Sequence, residues 1–286
     1  MRIPKSFLPC GLLASALVVG LSASAHAALY GNFIGGTTTY ENVDESDSQS
    51  SGPPVVNSTP TALFGAPAIV PAGSDNLTFP AISFSSLSAD GQFEFEDGKL
   101  TFNMVPNSLA TSINSLMFDE GGAWRVQGPT SDASSEATLI FNDVRITSVN
   151  GVALANPIVV DPQFSESIVI QTGAASTVST AGDVTMNSTG SSAVGTWDIT
   201  ADFNLAAALA QNDLSGKITG VSVGLNNQLL TDTTQPDSGL SLAEIDKKHF
   251  IVSDVTTTVP EPASMSILLA AGLLLLSRSP RRLFSI

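Results

Sequence analysis

Hydrophobic side chains recur at every second position over long stretches of this chain, and that period predicts strands with one buried face. The clearest stretch consists of Trp197, Ile199, Ala201, Phe203 and Leu205, five hydrophobic positions in phase. Shorter runs of the same kind lie at 93–95, 100–104, 124–126, 139–146, 221–225 and 250–252. The chain is therefore expected to fold mainly into β-strands.

Pairs of turn-forming residues separate these runs and predict reversals of the chain. Asp97-Gly98, Asn150-Gly151 and Asn226-Asn227 are typical of tight hairpin turns. Gly121-Gly122 precedes a further candidate strand. The alternation shifts phase near Asn142-Asp143, where one extra residue would form a β-bulge.

The predicted fold class is all-β, a single antiparallel β-sandwich or jelly roll over residues 61–258. Only Leu205–Gln211 has a helical composition. No strand–helix–strand alternation is present, so a parallel-sheet enzyme fold is not expected.

Residues 28–60 form an acidic N-terminal segment rich in serine and proline. Within it, residues 41–60 carry few hydrophobic side chains, so burial would not offset the entropy of ordering and a loop or linker is expected. Asp44-Glu45-Ser46-Asp47 lacks the glycine and the distal glutamate of an EF-hand calcium loop. We interpret this segment as acidic side chains exposed to solvent.

Residues 1–27 have the features of a secretory signal peptide. Arg2 and Lys5 precede the hydrophobic segment 11–21, and Ala25 and Ala27 supply small residues at positions −3 and −1. Signal peptidase is expected to cut before Ala28. A short membrane anchor is the alternative, although an 11-residue hydrophobic segment is short for a span. Cleavage would remove Cys10 and leave a cysteine-free exported protein.

Residues 259–286 carry a second targeting signal. Pro260-Glu261-Pro262 is followed by the uncharged segment 263–277 and then by Arg278, Arg281 and Arg282. The uncharged segment predicts a short transmembrane helix of roughly 22 Å. The arginines favour a cytoplasmic C-terminus, which agrees with a central region exported by the signal peptide.

This order of proline-rich motif, short hydrophobic helix and arginine cluster resembles a PEP-CTERM sorting tail. The resemblance implies that an integral-membrane exosortase reads Pro260, Glu261 and Pro262 in a bacterium that exports polysaccharide. It also implies an inner-membrane precursor that is later processed and delivered to the cell surface or extracellular matrix. An ordinary single-span tail anchor is the alternative.

The charge of the chain limits the partners that it can bind. Eleven basic and 26 acidic residues give a formal net charge of −15. Such a chain repels anionic polymers, so no nucleic-acid partner is expected. Neutral or cationic partners, or loosely held divalent cations, fit this charge better.

Few residues are available for catalysis. His249 is the only histidine outside the signal peptide and has no G-x-S-x-G nucleophile motif to pair with, so a surface histidine is expected. Glu94 and Glu96 lie on one strand face roughly 7 Å apart, a spacing that an inverting glycosidase could use. We interpret them instead as a solvated polar face opposite Phe93 and Phe95.

A sugar-binding patch is conceivable where Asp119-Glu120 lies near Trp124, since aromatic rings stack on sugars. Core positions are nevertheless expected for Trp124 and Trp197. We therefore predict no catalytic residue, no metal site and no cofactor.

The sequence thus predicts an exported, non-enzymatic surface or extracellular-matrix protein associated with exopolysaccharide. Its expected partners are signal peptidase, an exosortase, extracellular polysaccharide and, before processing, the inner membrane. The alternative is a carbohydrate-binding or glycan-cleaving β-sandwich with the same tail.

Overall fold

The structure is a computed structural model that describes residues 26–51, 62–80, 82–129, 132–160, 164–172, 178–179, 183–189, 192–234 and 240–258. Within these residues the elements, in chain order, are fifteen strands and one helix. They are β1 (His26–Ile34), β2 (Thr38–Ser51), β3 (Ala68–Ile69), β4 (Leu77–Thr78), β5 (Ser85–Ala89), β6 (Phe93–Pro106), β7 (Thr111–Gln127), β8 (Ala133–Val149), β9 (Val152–Val159), β10 (Ser165–Gln171), β11 (Val178–Ser179), β12 (Asp183–Thr189), β13 (Ser192–Asn204), α1 (Leu205–Gln211), β14 (Ile218–Thr233) and β15 (Leu242–Thr258).

The strands form two sheets in which every pairing is antiparallel. Sheet one has the order β1-β2-β6-β14-β8-β10-β11, with β9 also paired to β8. Sheet two has the order β12-β13-β7-β15-β4-β3, with β5 also paired to β15. The prediction of a mainly antiparallel all-β sandwich is therefore confirmed.

Aromatic side chains fill the space between the two sheets. Phe118 of β7 and Phe141 of β8 meet edge to face with ring centroids 4.5 Å apart. Phe203 of β13 joins them at 4.6 Å from Phe141. A second group of rings is built around Phe250 of β15 and includes Phe64, which precedes β3. Burial of these rings supplies the main hydrophobic stabilisation of the sandwich.

Several local predictions are confirmed. The alternating residues from Trp197 to Leu205 are all buried, at 0–3% exposure. The predicted helix is α1, and Asn204 caps it by accepting the amide N–H of Ala207 at 2.8 Å. The predicted bulge lies at Asn142, where the register of β8 against β14 shifts. Asn150 and Gly151, both with positive φ, form the turn between β8 and β9.

Three of the predicted turn or boundary pairs instead lie inside continuous strands. Asp97-Gly98 lies within β6, Gly121-Gly122 within β7 and Asn226-Asn227 within β14. At Gly98 the reason is steric, since an added Cβ would lie 3.0 Å from Phe64 and 3.1 Å from Phe84. Glycine is needed there for close approach of aromatic rings rather than for a reversal of the chain.

The prediction that residues 41–60 form a loop or linker is wrong for residues 41–51, which belong to β2 and pair with β6. The sandwich therefore extends N-terminally beyond the expected 61–258. Composition misleads here because Glu45 is buried rather than solvated. Its carboxylate accepts hydrogen bonds from Tyr30 Oη and the Leu63 amide, both at 2.6 Å, and this compensates for desolvation.

Within the described residues, no helix has the length and hydrophobicity required to cross a membrane. The predicted transmembrane helix within 263–277 lies outside those residues.

Truncation of Trp197 tests the packing of sheet two. The indole is 2% exposed and donates a hydrogen bond from Nε1 to the Asp246 carbonyl at 3.0 Å. We expect Trp197→Ala to lower the free energy of unfolding by about 3–5 kcal/mol, because it leaves a large cavity and an unpaired carbonyl. Chemical denaturation followed by circular dichroism measures this. Thr200→Ala, at an exposed position on the same strand, is the matched control. Equal denaturation midpoints for the two variants would contradict the placement of Trp197 in the core.

Candidate functional site

The residues of the two predicted targeting signals lie largely outside the described part of the chain. Pro260, Glu261 and Pro262 and the arginines Arg278, Arg281 and Arg282 all follow the last described residue, Thr258. Ala25 precedes the first. Ala27 and Ala28 lie in β1. Their proposed roles therefore stay predictions.

The interpretation of Glu94 and Glu96 as a solvated face is wrong for Glu96, which is 7% exposed, whereas Phe93 is 46% exposed. Because β6 continues through Asp97-Gly98, the inward phase set by Leu100 and Phe102 extends back to Glu96. Glu94 Oε2 accepts the amide N–H of Leu87 at 2.5 Å. The two carboxylates thus do not form an open glycosidase pair.

The sugar-binding patch that Trp124 would have formed with Asp119-Glu120 is also absent from the described residues. Trp124 is 2% exposed, Trp197 is equally buried, and Glu120 has no exposed surface. The expectation that both tryptophans belong to the core is confirmed.

A bulge in β15 places charged side chains on both faces of sheet two. Lys247 pairs with Gly122 of β7 and His249 pairs with Gly121, so Lys248 is the extra residue. The shift allows both Lys247 and Phe250 to point into the core, although they are an odd number of positions, three, apart in the chain. It also places His249 on the outer face of sheet two.

On that outer face, His249 lies between two carboxylates. Its Nε2 is 3.5 Å from Asp119 Oδ1 and 3.5 Å from Asp198 Oδ2. Gly121 makes room for the ring, since an added Cβ would lie 2.6 Å from His249 Cε1. One ligand atom from each of the three residues falls within 4.8 Å of the others. Imidazole and carboxylate groups at this spacing could coordinate a divalent cation.

On the inner face, Lys247 is buried against two polar groups. Its Nζ is 2.6 Å from Glu120 Oε2 of β7 and also donates to Asn227 Oδ1 of β14. The exposed fractions of the two charged side chains are 0% and 1%. Burial lowers the pKa of Lys247 and raises the pKa of Glu120, and the opposite charge of each partner opposes those changes only in part.

Aromatic rings surround this buried group. Lys247 Nζ lies 5.4 Å from the ring centroid of Phe64, 5.2 Å from Phe84 and 5.3 Å from Phe250. These distances permit cation–π attraction to a protonated lysine. The rings also separate the polar group from water.

Sequence reasoning missed this inner cluster, which we call the Lys247 cluster (Lys247, Glu120 and Asn227). Each member continues the inward phase of its strand, which was a usable signal. Lys247 follows Ala243 and Ile245 at two-residue steps, and Asn227 likewise follows Leu225. The cluster was not predicted because charged and amide side chains were assumed to lie at the surface or in turns.

Two surface grooves are the other candidate binding features. The first, of about 500 Å³, crosses the outer face of sheet one. Polar residues in its lining include Asn42, Lys99, Asn103, Asn142 and Ser222. The second, of about 400 Å³, lies on sheet two beside Arg125, Thr196 and Glu244.

A carboxylate network joins β2 to β15 near the end of the sandwich. Thr38 Oγ1 donates to Asp254 Oδ2 at 2.5 Å, and Thr37 Oγ1 donates to Asp75 Oδ2 at 2.6 Å. The pKa of Asp254 is raised to about 6, mainly because burial disfavours the charged form, with the Thr38 hydrogen bond lowering it and the nearby Asp75 raising it. Asp254 Oδ1 is buried without a hydrogen-bond partner among the described residues.

Comparisons with known proteins provide no family. No family model matches the chain, and no curated protein matches it. Among solved structures, it is similar to infectious bursal disease virus Gx strain at 12% identity and Gt strain at 10%, with 82% and 84% of this chain covered and a TM-score of 0.13 for both. The chain spans 54% and 57% of those chains. Likeness this weak carries no argument about function.

The raised pKa of Asp254 predicts a pH dependence of stability. The folded protein keeps this proton up to about pH 6, whereas an unfolded aspartate loses it near pH 4. The free energy of unfolding should therefore fall as pH rises from about 4 to 6. Asp254→Asn should reduce that fall and stabilise the protein at pH 7 by about 2–3 kcal/mol, whereas the raised pKa values of Glu120 and Glu166 keep their own contribution to it.

Denaturation midpoints measured from pH 4 to pH 7 check this expectation. Asp202→Asn, at an exposed position, is the matched control and should follow the wild-type profile. A profile for Asp254→Asn that also matches wild type would contradict the prediction.

Proposed function

We propose that this protein is an exported, non-enzymatic surface or extracellular-matrix protein that a PEP-CTERM exosortase system sorts and that associates with exopolysaccharide. The observation that carries the proposal is the tail itself, in which Pro260-Glu261-Pro262, the hydrophobic segment 263–277 and Arg278, Arg281 and Arg282 follow in order. Together with the signal sequence at 1–27, this order supports export, a temporary inner-membrane anchor and later processing.

The position of the sandwich relative to the tail supports the same proposal. β15 ends at Thr258, so a single residue, Val259, lies between the sheet and Pro260. Proline disfavours helix at the residue before it, which favours an extended segment between the sandwich and the membrane helix. A membrane protease could reach such a segment without unfolding the sandwich.

The N-terminal end is compatible with cleavage after Ala27. β1 begins at His26, and its pairing with β2 includes Ala28 with Glu45. Cleavage before Ala28 would remove two residues of β1 and leave seven in place. Signal removal therefore does not require loss of the strand.

Replacement of Pro260, Glu261 and Pro262 by alanine tests the sorting proposal. The variant keeps the hydrophobic segment and all three arginines, so we expect normal insertion but accumulation of unprocessed precursor in the inner membrane. Fractionation and intact mass measurement in an exosortase-bearing host provide the readout.

The matched control replaces Arg278, Arg281 and Arg282 by glutamine, which should weaken retention and orientation instead. A wild-type protein that stays full length after signal removal would show that the tail is merely an anchor and would reject the sorting proposal.

A second candidate function is polysaccharide binding at the groove on the outer face of sheet one. The groove is broad, and Gly224 of β14 contributes no side chain to its floor. Asparagine, serine and lysine groups along it can donate hydrogen bonds to sugar hydroxyls. The absence of an aromatic stacking platform among the described tryptophans favours weak, extended contacts over a deep sugar site.

Affinity electrophoresis through gels that contain the host exopolysaccharide tests this second function. We expect retardation of the wild type and about a tenfold weaker apparent affinity for Asn103→Ala/Asn142→Ala, which is the loss of roughly 1.4 kcal/mol from two hydrogen bonds. Thr200→Ala, on sheet two, is the control. Equal mobility of wild type with and without polysaccharide would reject this function.

A further inference from the structure

The Lys247 cluster brings together the groups required for formation of a side-chain amide bond. A primary amine, a carboxamide and a carboxyl group meet in one buried contact. Lys247 Nζ lies 2.6 Å from Glu120 Oε2, and it also contacts Oδ1 of Asn227, the oxygen of the carboxamide. The carboxamide carbon is bonded directly to that oxygen, so the amine is next to the atom that it would attack.

We propose that Lys247 and Asn227 form an intramolecular isopeptide bond, and that Glu120 transfers the proton required for the reaction. The Nζ lone pair of Lys247 attacks Cγ of Asn227, so an Nζ–Cγ bond forms and the Cγ–Nδ2 bond breaks. Nδ2 leaves as ammonia and takes the proton that Nζ gives up by way of the Glu120 carboxyl group. Nothing is oxidised or reduced, and no further reactant is needed.

The proton distribution required by this chemistry is favoured by burial. An ammonium group is not a nucleophile, so the attack needs neutral lysine and a proton on the carboxyl group. Burial lowers the pKa of Lys247 and raises that of Glu120. Both changes favour transfer of the lysine proton to the glutamate. The resulting acid is positioned to donate to the carboxamide as the bond forms.

The contacts of the two polar partners also fit the reaction. Asn227 Nδ2 and Glu120 Oε1 are buried and make no hydrogen bond of good geometry among the described residues, yet the Asn227 side chain lies close enough to Glu120 to act on the pKa of its carboxyl group. No well-formed hydrogen bond thus anchors the departing nitrogen, and Glu120 lies beside the carboxamide that receives its proton. Loss of ammonia removes a buried unpaired donor and replaces an ion pair by a neutral amide, which lowers the cost of desolvation.

The surrounding rings explain why this contact would end in an amide rather than in hydrolysis. Phe64, Phe84 and Phe250 lie within 5.4 Å of Nζ, and Gly98, which pairs with Asn227, allows two of the rings to approach. Water has little access to Cγ. The amine is then the nitrogen nucleophile in direct contact with the carboxamide oxygen.

The bond would join the two sheets covalently. Asn227 lies on β14 of sheet one and Lys247 on β15 of sheet two, twenty residues apart. A cross-link of this kind restricts the unfolded chain as a disulfide does. It needs no cysteine and no oxidant, and the only cysteine of this chain is Cys10.

Peptide mass spectrometry of the purified full-length protein tests the proposal. Cleavage after Glu244 separates Asn227 from Lys247 unless a side-chain bond joins them. We expect one linked species with a mass about 17 Da below the sum of the two peptides, the mass of ammonia. Two separate peptides with unchanged masses from a folded protein would overturn the proposal and leave an ordinary buried ion pair.

Four variants distinguish the roles of the residues. Lys247→Arg should give separate peptides, whereas Lys248→Arg, at the exposed neighbour, should remain linked and is the matched control. Glu120→Gln should reduce the linked fraction at least tenfold, and unchanged linkage would overturn the role of Glu120. Asn227→Asp should still link but with a loss of about 18 Da, because water replaces ammonia as the leaving group.

Circular dichroism identifies variants that fail to fold. If Lys247→Arg unfolds, Asn227→Asp still tests bond formation. Its linked product is chemically identical to that of the wild type, so only the mass lost on linkage differs. Absence of linkage in the folded wild type rejects the proposal whatever the Asn227→Asp variant shows.

Discussion

Burial of the Lys247 amine between the sheets is the constraint that ties the central strands together. A polar side chain without solvent exposure requires compensation, and here both sheets provide it. β7 contributes Glu120, β14 contributes Asn227, and three phenyl rings enclose the amine. Replacement of Lys247 would take away the partner that Glu120 and Asn227 share, so the three strands are held in register by this one side chain.

Glycines in the central strands make that register possible. At Gly122 a side chain would overlap the Asp246 carbonyl and crowd the indole of Trp197, which crosses β7 to reach that carbonyl on β15. At Gly98 the space is taken by Phe64 and Phe84. Gly122 thus permits the Trp197 hydrogen bond in sheet two, and Gly98 of sheet one permits close packing of two aromatic rings.

Neighbouring residues of β7 and β15 point to opposite faces of sheet two, and the two faces differ in their chemistry. Inward, Glu120 and Lys247 are sealed from water, a setting suited to a single internal reaction. Outward, Asp119 and His249 stay partly exposed beside Asp198, a setting suited to exchange of a cation with solvent. The two settings arise from one bulge, which turns neighbouring residues of β15 to opposite faces of sheet two.

The sequence by itself determined the all-β class, the buried phase around Trp197, helix α1, the bulge at Asn142 and the Asn150-Gly151 turn, because each depends on local periodicity or turn chemistry. Only the tertiary structure decided that Gly98, Gly121 and Asn227 lie within strands and that Glu45, Glu96 and Lys247 are buried. Those outcomes depend on which distant side chains occupy the adjacent space. A glycine looks the same in sequence whether it turns a chain or admits a ring, and a charge looks solvated until its partner from another strand is known.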